Sequence, residues 1–258
     1  MKLGIISDIH EDVESLKKAL GMLEKNSCDE IICLGDIVGV CIHFEKYMST
    51  RNAKKCVSLV RQNCKYIVAG NHDLYAARKI PEYRGGFNFP DNWYRLDIGE
   101  RRELSEGKVW LYEDEIPNNL EPDDIEYLSS LKEFIIIGDN NKHYFFSHFI
   151  IPNITGTEIG VPQSRVNVNE HVDYLKKLKC STGMCGHIHA EGMILFQEQK
   201  NNVLLRIQQT NKLFSFGNYC LGNELQCVSV PVVADIGIRN GVAIFDTNKS
   251  EISCIPIN

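Results

Sequence analysis

The sequence has no long apolar run, no excess of positive charge and no pair of cysteines at metal-binding spacing. No apolar run approaches the ~20 residues that a membrane-spanning helix needs, so we expect no membrane partner. The net charge of −6 disfavours nucleic acid as a partner, because proteins that bind its phosphate backbone are usually basic. The ten cysteines are scattered and form no CxxC pair, which predicts reduced structural thiols in a reducing compartment.

The amino terminus also lacks the pattern of a secretory signal. The first ten residues, MKLGIISDIH, reach charged side chains too early for the apolar core of such a signal. We therefore predict a cytoplasmic protein. No internal repeat, low-complexity tract or linker divides the chain, so we predict that residues 1–258 form one domain.

What the chain does contain is an alternation of apolar runs and helical patterns. The runs KLGII, EIICL and KYIVA are separated by predicted helices at Val13–Lys25 and about Asn52–Gln62. This rhythm is typical of a parallel sheet covered by helices. Residues 80–120 are irregular and predict a long loop or small helical insertion.

The second half predicts further elements. Pro122 starts a helix with Ile125, Leu128 and Leu131 on one face, and the acidic run EDEIPNNLEPDD before and within it is interpreted as helix-start and solvated residues. A turn at 139–141 predicts a hairpin, and a helix is predicted at Glu170–Lys179. From residue 192 onward, short runs such as NVLLRI, with turns at 200–202 and 247–249, predict a second, mainly antiparallel sheet packed on the first.

Polar clusters end or follow the apolar runs at five places, and five of the eight histidines lie in them. Each cluster alone is a weak signal, since a single histidine at a strand end is usually structural. Residues that follow the strands of an open α/β sheet share one crevice, so we expect the clusters to meet. The clusters are Asp8-Ile9-His10, Gly35-Asp36, Gly70-Asn71-His72-Asp73, His148 and Gly186-His187-Ile188-His189.

Seven of these side chains are candidate metal ligands that offer carboxylate, amide oxygen and imidazole but no thiolate. This mixture suits Mn²⁺, Fe²⁺ or Zn²⁺. Seven ligands are too many for one metal with open positions, but a shared carboxylate divides them into two sets of four. Two metals about 3.5–4 Å apart clamp the attacking and leaving oxygens in phosphoryl transfer and make a bridging water nucleophilic near neutral pH. The seven candidates are Asp8, His10, Asp36, Asn71, His148, His187 and His189.

The same ordered set resembles the calcineurin-like metallophosphoesterase superfamily over Asp8 to His189. The stretches CLGDIVG and LEPDDIEYLSSL resemble its small prokaryotic phosphoesterase branch. The resemblance implies an α/β fold in which a two-sheet β-sandwich is flanked by helices (α-β-β-α), with a dinuclear metal site at one edge. Residues 80–120 would then be a loop or helical insertion over that active site.

The resemblance also implies a role for each candidate. Asp8, His10 and His189 would hold one metal, Asp36 would bridge, and Asn71, His148 and His187 would hold the second. His72 and Asp73 are the catalytic candidates. His72 would contact the phosphate and protonate the leaving oxygen, while Asp73 would either orient His72 or cap the next helix. The cofactors expected are two divalent ions, Mn²⁺ or iron (Fe²⁺ or Fe³⁺) first and Zn²⁺, Ni²⁺ or Mg²⁺ as alternatives.

Three departures from the family pattern leave alternatives open. Glu11-Asp12 replaces a usual glycine, and these acids either start the helix or repel an anionic substrate. The loop after Asp36 lacks the second aspartate with which protein phosphatases support the histidine, although His43 lies in that loop. The substrate arginines of phosphatases have no clear match, the candidates being Arg78, Arg84, Arg95 and Arg165.

The sequence therefore predicts a dinuclear-metal hydrolase. Its substrate is expected to be a small phosphorylated molecule, either a phosphomonoester or a phosphodiester. A non-catalytic binding scaffold with the same fold is an alternative, and so is a nuclease, which the acidic charge disfavours.

Overall fold

The structure is a computed structural model that describes residues 1–42, 45–160, 168–196, 211–222 and 225–257. Short 3₁₀ turns lie at Glu45–Tyr47 and Trp93–Arg95. The helices are α1 (Val13–Lys25), α2 (Ala53–Asn63), α3 (Asn71–Ala76), α4 (Ile98–Ser105), α5 (Pro122–Ser130) and α6 (Asn169–Lys177). The strands are β1 (Lys2–Ile6), β2 (Glu30–Cys33), β3 (Tyr66–Ile67), β4 (Phe134–Asp139), β5 (Lys142–Ser147), β6 (Cys180–Ala190), β7 (Met193–Phe196), β8 (Lys212–Phe214), β9 (Gly217–Cys220), β10 (Gln226–Pro231), β11 (Gly241–Asp246) and β12 (Glu251–Pro256).

The first sheet has the strand order β3-β2-β1-β11-β12-β9. Its amino-terminal strands are parallel, with Leu3 opposite Glu30 and Ile32 opposite Tyr66. The carboxyl ends of β1, β2 and β3 therefore lie at one edge. The other three strands are antiparallel, and β11 pairs directly with β1.

The second sheet has the order β4-β5-β6-β10-β7-β8 and is also mixed. The hairpin β4–β5 forms around residues 139–141 as predicted. β6 runs parallel to both β5 and β10, while β7 and β8 are antiparallel additions. The prediction that all the strands after residue 192 build the second sheet is wrong, because β9, β11 and β12 complete the first sheet.

The two sheets pack face to face, and helices cover their outer faces. Strand β1 is buried on both faces: Leu3 and Ile5 lie between the sheets, and Ile6 packs under α1 and α2. Helix α6 covers the second sheet through Val172 and Leu175. This arrangement confirms the predicted α/β sandwich of two sheets flanked by helices.

The predicted helices agree with the structure to within two residues at their ends. The inward face predicted for α5 is only partly right, since Leu128 and Leu131 are buried but Ile125 is 38% exposed. The run NVLLRI and the turn at 200–202 lie outside the described residues. All ten cysteines are in described segments, and each is a free thiol. Within those segments, no helix combines the length and apolarity needed to cross a bilayer.

Candidate metal centre

The predicted ligands come together at the edge where the parallel strands end. Asp8 and His10 follow β1, and Asp36 follows β2. Asn71 begins α3 just after β3, and His148 follows β5 of the second sheet. His187 and His189 lie near the carboxyl end of β6. One strand therefore supplies both imidazoles to the junction between the sheets.

The first set of side chains contains Asp8, His10, Asp36 and His189, whose ligand atoms all lie within 4.8 Å of one another. His10 Nε2 is 2.9 Å from His189 Nε2. His189 Nε2 is 3.4 Å from Asp8 Oδ1, and His10 Nε2 is 3.8 Å from Asp36 Oδ2. Four nitrogen and oxygen donors thus surround one point.

The second set shares Asp36 with the first and adds His148 and His187. His148 Nε2 is 3.1 Å from Asp36 Oδ2 and 3.2 Å from His187 Nδ1. The Asn71 amide oxygen lies 3.1 Å from both of these imidazole nitrogens. One carboxylate therefore belongs to two adjacent clusters, as the division into two sets of four requires.

The hydrogen bonds of two histidines direct their second ring nitrogens into the cluster. His10 Nδ1 is 2.7 Å from the Gly39 carbonyl oxygen, and His148 Nδ1 is 2.7 Å from that of Leu34. A carbonyl only accepts, so each Nδ1 carries a proton and each Nε2 is the ring nitrogen that faces the cluster. Buried acceptor atoms that face one another are stabilised by a cation between them, so the donor set fits divalent metals.

Burial keeps two of the imidazoles in the form that binds metals. Burial, reinforced by the charge of His189, lowers the pKa of His10 to about 3. Burial and the charge of His148 lower the pKa of His187 to about 3. Both rings are therefore neutral at physiological pH, and a neutral imidazole is the ligand form of histidine.

The two carboxylates stay ionised although they are buried. Burial raises the pKa of Asp8, but the hydrogen bond and charge of His189 outweigh it and hold that pKa below its usual range. His148 and His72 do the same for Asp36. In return, Asp36 outweighs burial and raises the pKa of His148 to about 9, so a metal at His148 Nε2 would displace a proton.

Backbone strain is concentrated at these ligands. A positive φ is uncommon outside glycine, and such strain clusters at functional sites. Gly39 also has a positive φ of 87°, and a Cβ at this position would overlap the His72 ring. The ligands with positive φ are Asp8 (56°), His10 (46°), Asp36 (51°), His187 (68°) and His189 (51°).

His72 stands beside the ligands and has a partner that the sequence did not reveal. Its Nδ1 is 2.5 Å from Glu115 Oε2, and the Glu115 side chain is only 5% exposed. Burial lowers the pKa of His72, but Asp36 and Glu115 outweigh it and raise that pKa to about 9. The interpretation of the EDEIP acids as solvated surface is wrong for Glu115. In the sequence, Glu115 stands out only because Ile116 and Pro117 follow it in an irregular segment. This pattern is too weak to predict a buried partner for His72.

Asp73 takes the capping alternative rather than the alternative of orienting His72. Its Oδ2 accepts from the Gly70 N–H at 3.0 Å, and its Oδ1 accepts from those of Ile37 and Val38 at 2.9 and 3.2 Å. Burial and the charge of Asp36 raise the pKa of Asp73 to about 7. The carboxyl group thus ties the start of α3 to the loop after β2, and its assignment as a catalytic residue is corrected to a structural one.

The acids after the first histidine also have structural partners. Asp12 caps α1 by accepting from the Ser15 N–H at 3.0 Å. Glu11 is buried and pairs with Arg51 at 2.7 Å, so it does not repel a substrate from the cavity. Of the arginine candidates, Arg84 bonds within its own loop. His43 and Arg165 lie outside the described residues.

A cavity of about 310 Å³ opens over the ligands. One wall is formed by residues of the irregular segment, namely Trp110, Tyr112 and Asp114. The Tyr112 hydroxyl is buried and makes no hydrogen bond to a described residue. Burial raises the pKa of Tyr112 well above its usual range, although the adjacent Asn71 amide opposes the rise. The hydroxyl is therefore neutral.

The model of the calcineurin-like phosphoesterase family matches residues 1–191. The chain is 39% identical over 72 residues to an uncharacterised protein of Methanocaldococcus jannaschii, a match that covers 28% of the chain and only 26% of that protein's own length. A metallophosphoesterase from Sphaerobacter thermophilus has a similar structure, with a TM-score of 0.64, 19% identity and coverage of 100% of this chain and 88% of that one. A hypothetical protein from Pyrococcus horikoshii OT3 has a TM-score of 0.56, 12% identity and coverage of 99% and 87%. At these identities the two structures show the fold alone.

Proposed function

Because the chain belongs to the calcineurin-like phosphoesterase family, we propose that it hydrolyses a phosphate ester with the help of two divalent metal ions. The observation that carries this proposal is the pair of ligand clusters that share Asp36. A single metal would need only one of the two. Two adjacent metals that share a carboxylate ligand can hold both the attacking oxygen and the leaving oxygen of an in-line displacement.

Two sets of side chains would hold the ions. Asp8, His10 and His189 would hold one, Asn71, His148 and His187 the other, and Asp36 would bridge both. When bound, such ions supply a water that is acidic near neutral pH and neutralise part of the charge on the phosphate. The two aspartates cancel two of the four positive charges, so the site remains attractive to an anion.

The proton for the leaving oxygen would come from His72. The ring lies in the cavity wall and is held through Nδ1 by Glu115, which leaves Nε2 as the atom that faces the substrate. Against the effect of burial, the hydrogen bond and charge of Glu115 raise the pKa of the ring, and this favours the protonated form that a general acid needs. His72 would therefore donate its Nε2 proton as the phosphorus–oxygen bond breaks, while Glu115 stabilises the charged ring before that transfer.

The experiment measures metal content and hydrolysis together. Protein stripped with a chelator and reloaded with Mn²⁺ should contain two ions per chain and should cleave p-nitrophenyl phosphate or bis(p-nitrophenyl) phosphate, a pair that separates monoesterase from diesterase activity. Asp36→Asn should lose both metal and turnover. His72→Ala should keep the metal and lose about 10²–10⁴-fold in kcat, the range for a general acid.

Asp173→Asn is the matched control, because this carboxylate is exposed and pairs with Lys176 on the surface of α6. It should change neither metal content nor turnover. Trace metal after loading would overturn the proposal. Two bound ions with no hydrolysis of any ester in a panel of phosphorylated molecules would instead support the non-catalytic scaffold.

A further inference from the structure

The cavity is larger than a phosphate group and has room for another part of the substrate. Its volume of about 310 Å³ is at the lower end of the range of pockets that hold organic small molecules. Among the described residues that line it there is no lysine or arginine. Apart from the metal ligands and His72, the lining is mainly aromatic and apolar, so a neutral flat group fits better than a second anionic group.

Trp110 is the main apolar surface of this wall. It is 44% exposed, although its neighbour Val109 is 2% exposed and packs in a cluster with Phe87, Phe89 and Trp93. A large aromatic side chain left open beside a site commonly marks a place where a ligand binds.

Backbone hydrogen bonds fix the chain at Trp110, and this sets the direction in which the side chain points. The Trp110 N–H donates to the Thr157 carbonyl at 3.1 Å, and Val109 forms a bridge with Glu158. Alternation along this extended segment turns Val109 inward and Trp110 toward the cavity. Because the backbone that carries the ring is already ordered, a flat partner binds without the cost of ordering this segment.

Tyr112 continues the wall and connects it to the proton donor. Its ring stacks on Tyr75 with centroids 4.3 Å apart and contacts His72 edge-on at 5.1 Å. The aromatic wall therefore stands on the side of the cavity where His72 would protonate the leaving oxygen. The group bonded to that oxygen is the part of the substrate that meets the wall.

We propose that Trp110 and Tyr112 form a subsite for a flat aromatic ring carried by the leaving group of the ester, as in an aryl ester or an ester with a nucleobase nearby. This inference rests on the proposed function, because it takes His72 as the donor to the leaving oxygen. Ile188, between the two β6 histidines, adds apolar surface to the same cavity. Stacking on an aromatic ring strengthens binding by about 10- to 100-fold per ring.

The test uses three phosphonates that carry the same anionic group and cannot be hydrolysed: phenylphosphonate, cyclohexylphosphonate and methylphosphonate. Their dissociation constants are measured by titration calorimetry on the Mn²⁺-loaded protein. We expect phenylphosphonate to bind about 10-fold or more tightly than the other two. Trp110→Ala should remove this advantage without changing the affinity for methylphosphonate, and Trp110→Phe should restore part of it.

Leu104→Ala is the control, since Leu104 is a 51% exposed apolar residue of the same irregular segment but does not line the cavity. Equal binding of phenyl- and methylphosphonate by the wild type would overturn the inference, as would an equal loss of both in Trp110→Ala. Binding of the phosphonates without hydrolysis of any ester would overturn the proposed function alone. Failure of the metal-loaded protein to bind any phosphonate would overturn both.

Discussion

The substitution Glu115→Gln tests the part of the site that comes from the irregular segment. It keeps the shape of the side chain and one oxygen acceptor for His72 Nδ1. It removes the negative charge of the carboxylate, whose Oε2 lies 2.5 Å from that nitrogen. A hydrogen bond to a charged group contributes about 1.5–3 kcal/mol, and ~1.4 kcal/mol is a factor of ten in rate. Without this stabilisation the ring loses its proton at a pH about 1 to 2 units lower, so kcat measured at alkaline pH should fall about 10- to 100-fold.

The assay compares two monoesters whose leaving groups differ in basicity. Phenolate is a poor leaving group that needs a proton, whereas p-nitrophenolate departs readily without one. If Glu115 acts through the proton on His72, Glu115→Gln should reduce kcat strongly for phenyl phosphate and much less for p-nitrophenyl phosphate. KM and metal content should change little, because Glu115 contacts no predicted ligand.

The control lies two residues away. Glu113 is 45% exposed and pairs with Arg102, so Glu113→Gln should leave both esters unaffected. Residues that act as a unit are not additive, so the double variant Glu115→Gln with His72→Ala should be no slower than His72→Ala alone. An equal loss on both esters, or additive losses in the double variant, would refute the assignment of Glu115 as a positioning residue for His72.

Three further predictions follow from the same geometry. Tyr112→Phe removes a buried hydroxyl that satisfies no hydrogen bond with a described residue and keeps the ring, so neither the unfolding free energy nor the affinity for phenylphosphonate should fall; a loss of that affinity would show that the hydroxyl, and not the ring alone, forms the subsite. Asp73→Ala should cost on the order of 3 kcal/mol in urea unfolding, because each buried N–H left unpaired costs about 1–3 kcal/mol; full stability with lost activity would restore a catalytic role for Asp73. Removal of metal with a chelator should lower Tm reversibly, since ions at 100 times their Kd stabilise the fold by about 2.7 kcal/mol; the same Tm with and without metal would mean that the facing donor atoms bind no ion.

The convergence of the ligands could be predicted because each one is placed by a local rule. Asp8, Asp36 and Asn71 follow apolar runs that become neighbouring parallel strands, and parallel strands end at the same edge. Their positions along the chain therefore determine their positions in space. The family resemblance added the assignment of individual side chains to the two metals, and the structure groups them in the same way.

The pairing of the last strands could not be predicted from their sequences. β11 pairs with β1 across more than 230 residues, with Lys2 opposite Asp246. Short apolar runs show that strands exist but not which sheet edge each joins, because pairing partners are chosen by tertiary packing. The exposure of Ile125 has a similar origin: the buried face of α5 is centred on Asp124 and Leu128, four residues apart, which leaves Ile125 at its border.

Trp110, Tyr112 and Glu115 lie in a segment whose sequence shows no helical or strand periodicity. They lie beside the candidate metal centre without being metal ligands. Strand ends supply most of the candidate metal ligands, whereas one irregular stretch supplies Trp110 and Tyr112 to the cavity wall and Glu115 to His72. Two hydrogen bonds between this stretch and the loop after β2, from the Ile116 N–H to the Val40 carbonyl at 2.8 Å and from the Ile42 N–H to the Asp114 carbonyl at 3.2 Å, fix its place. Because Glu115 contacts His72 and Trp110 lines the cavity, changes at these two residues should alter proton delivery and substrate choice while metal binding persists. We therefore propose that the sheet edge sets the class of reaction and that the stretch from 110 to 116 selects the ester.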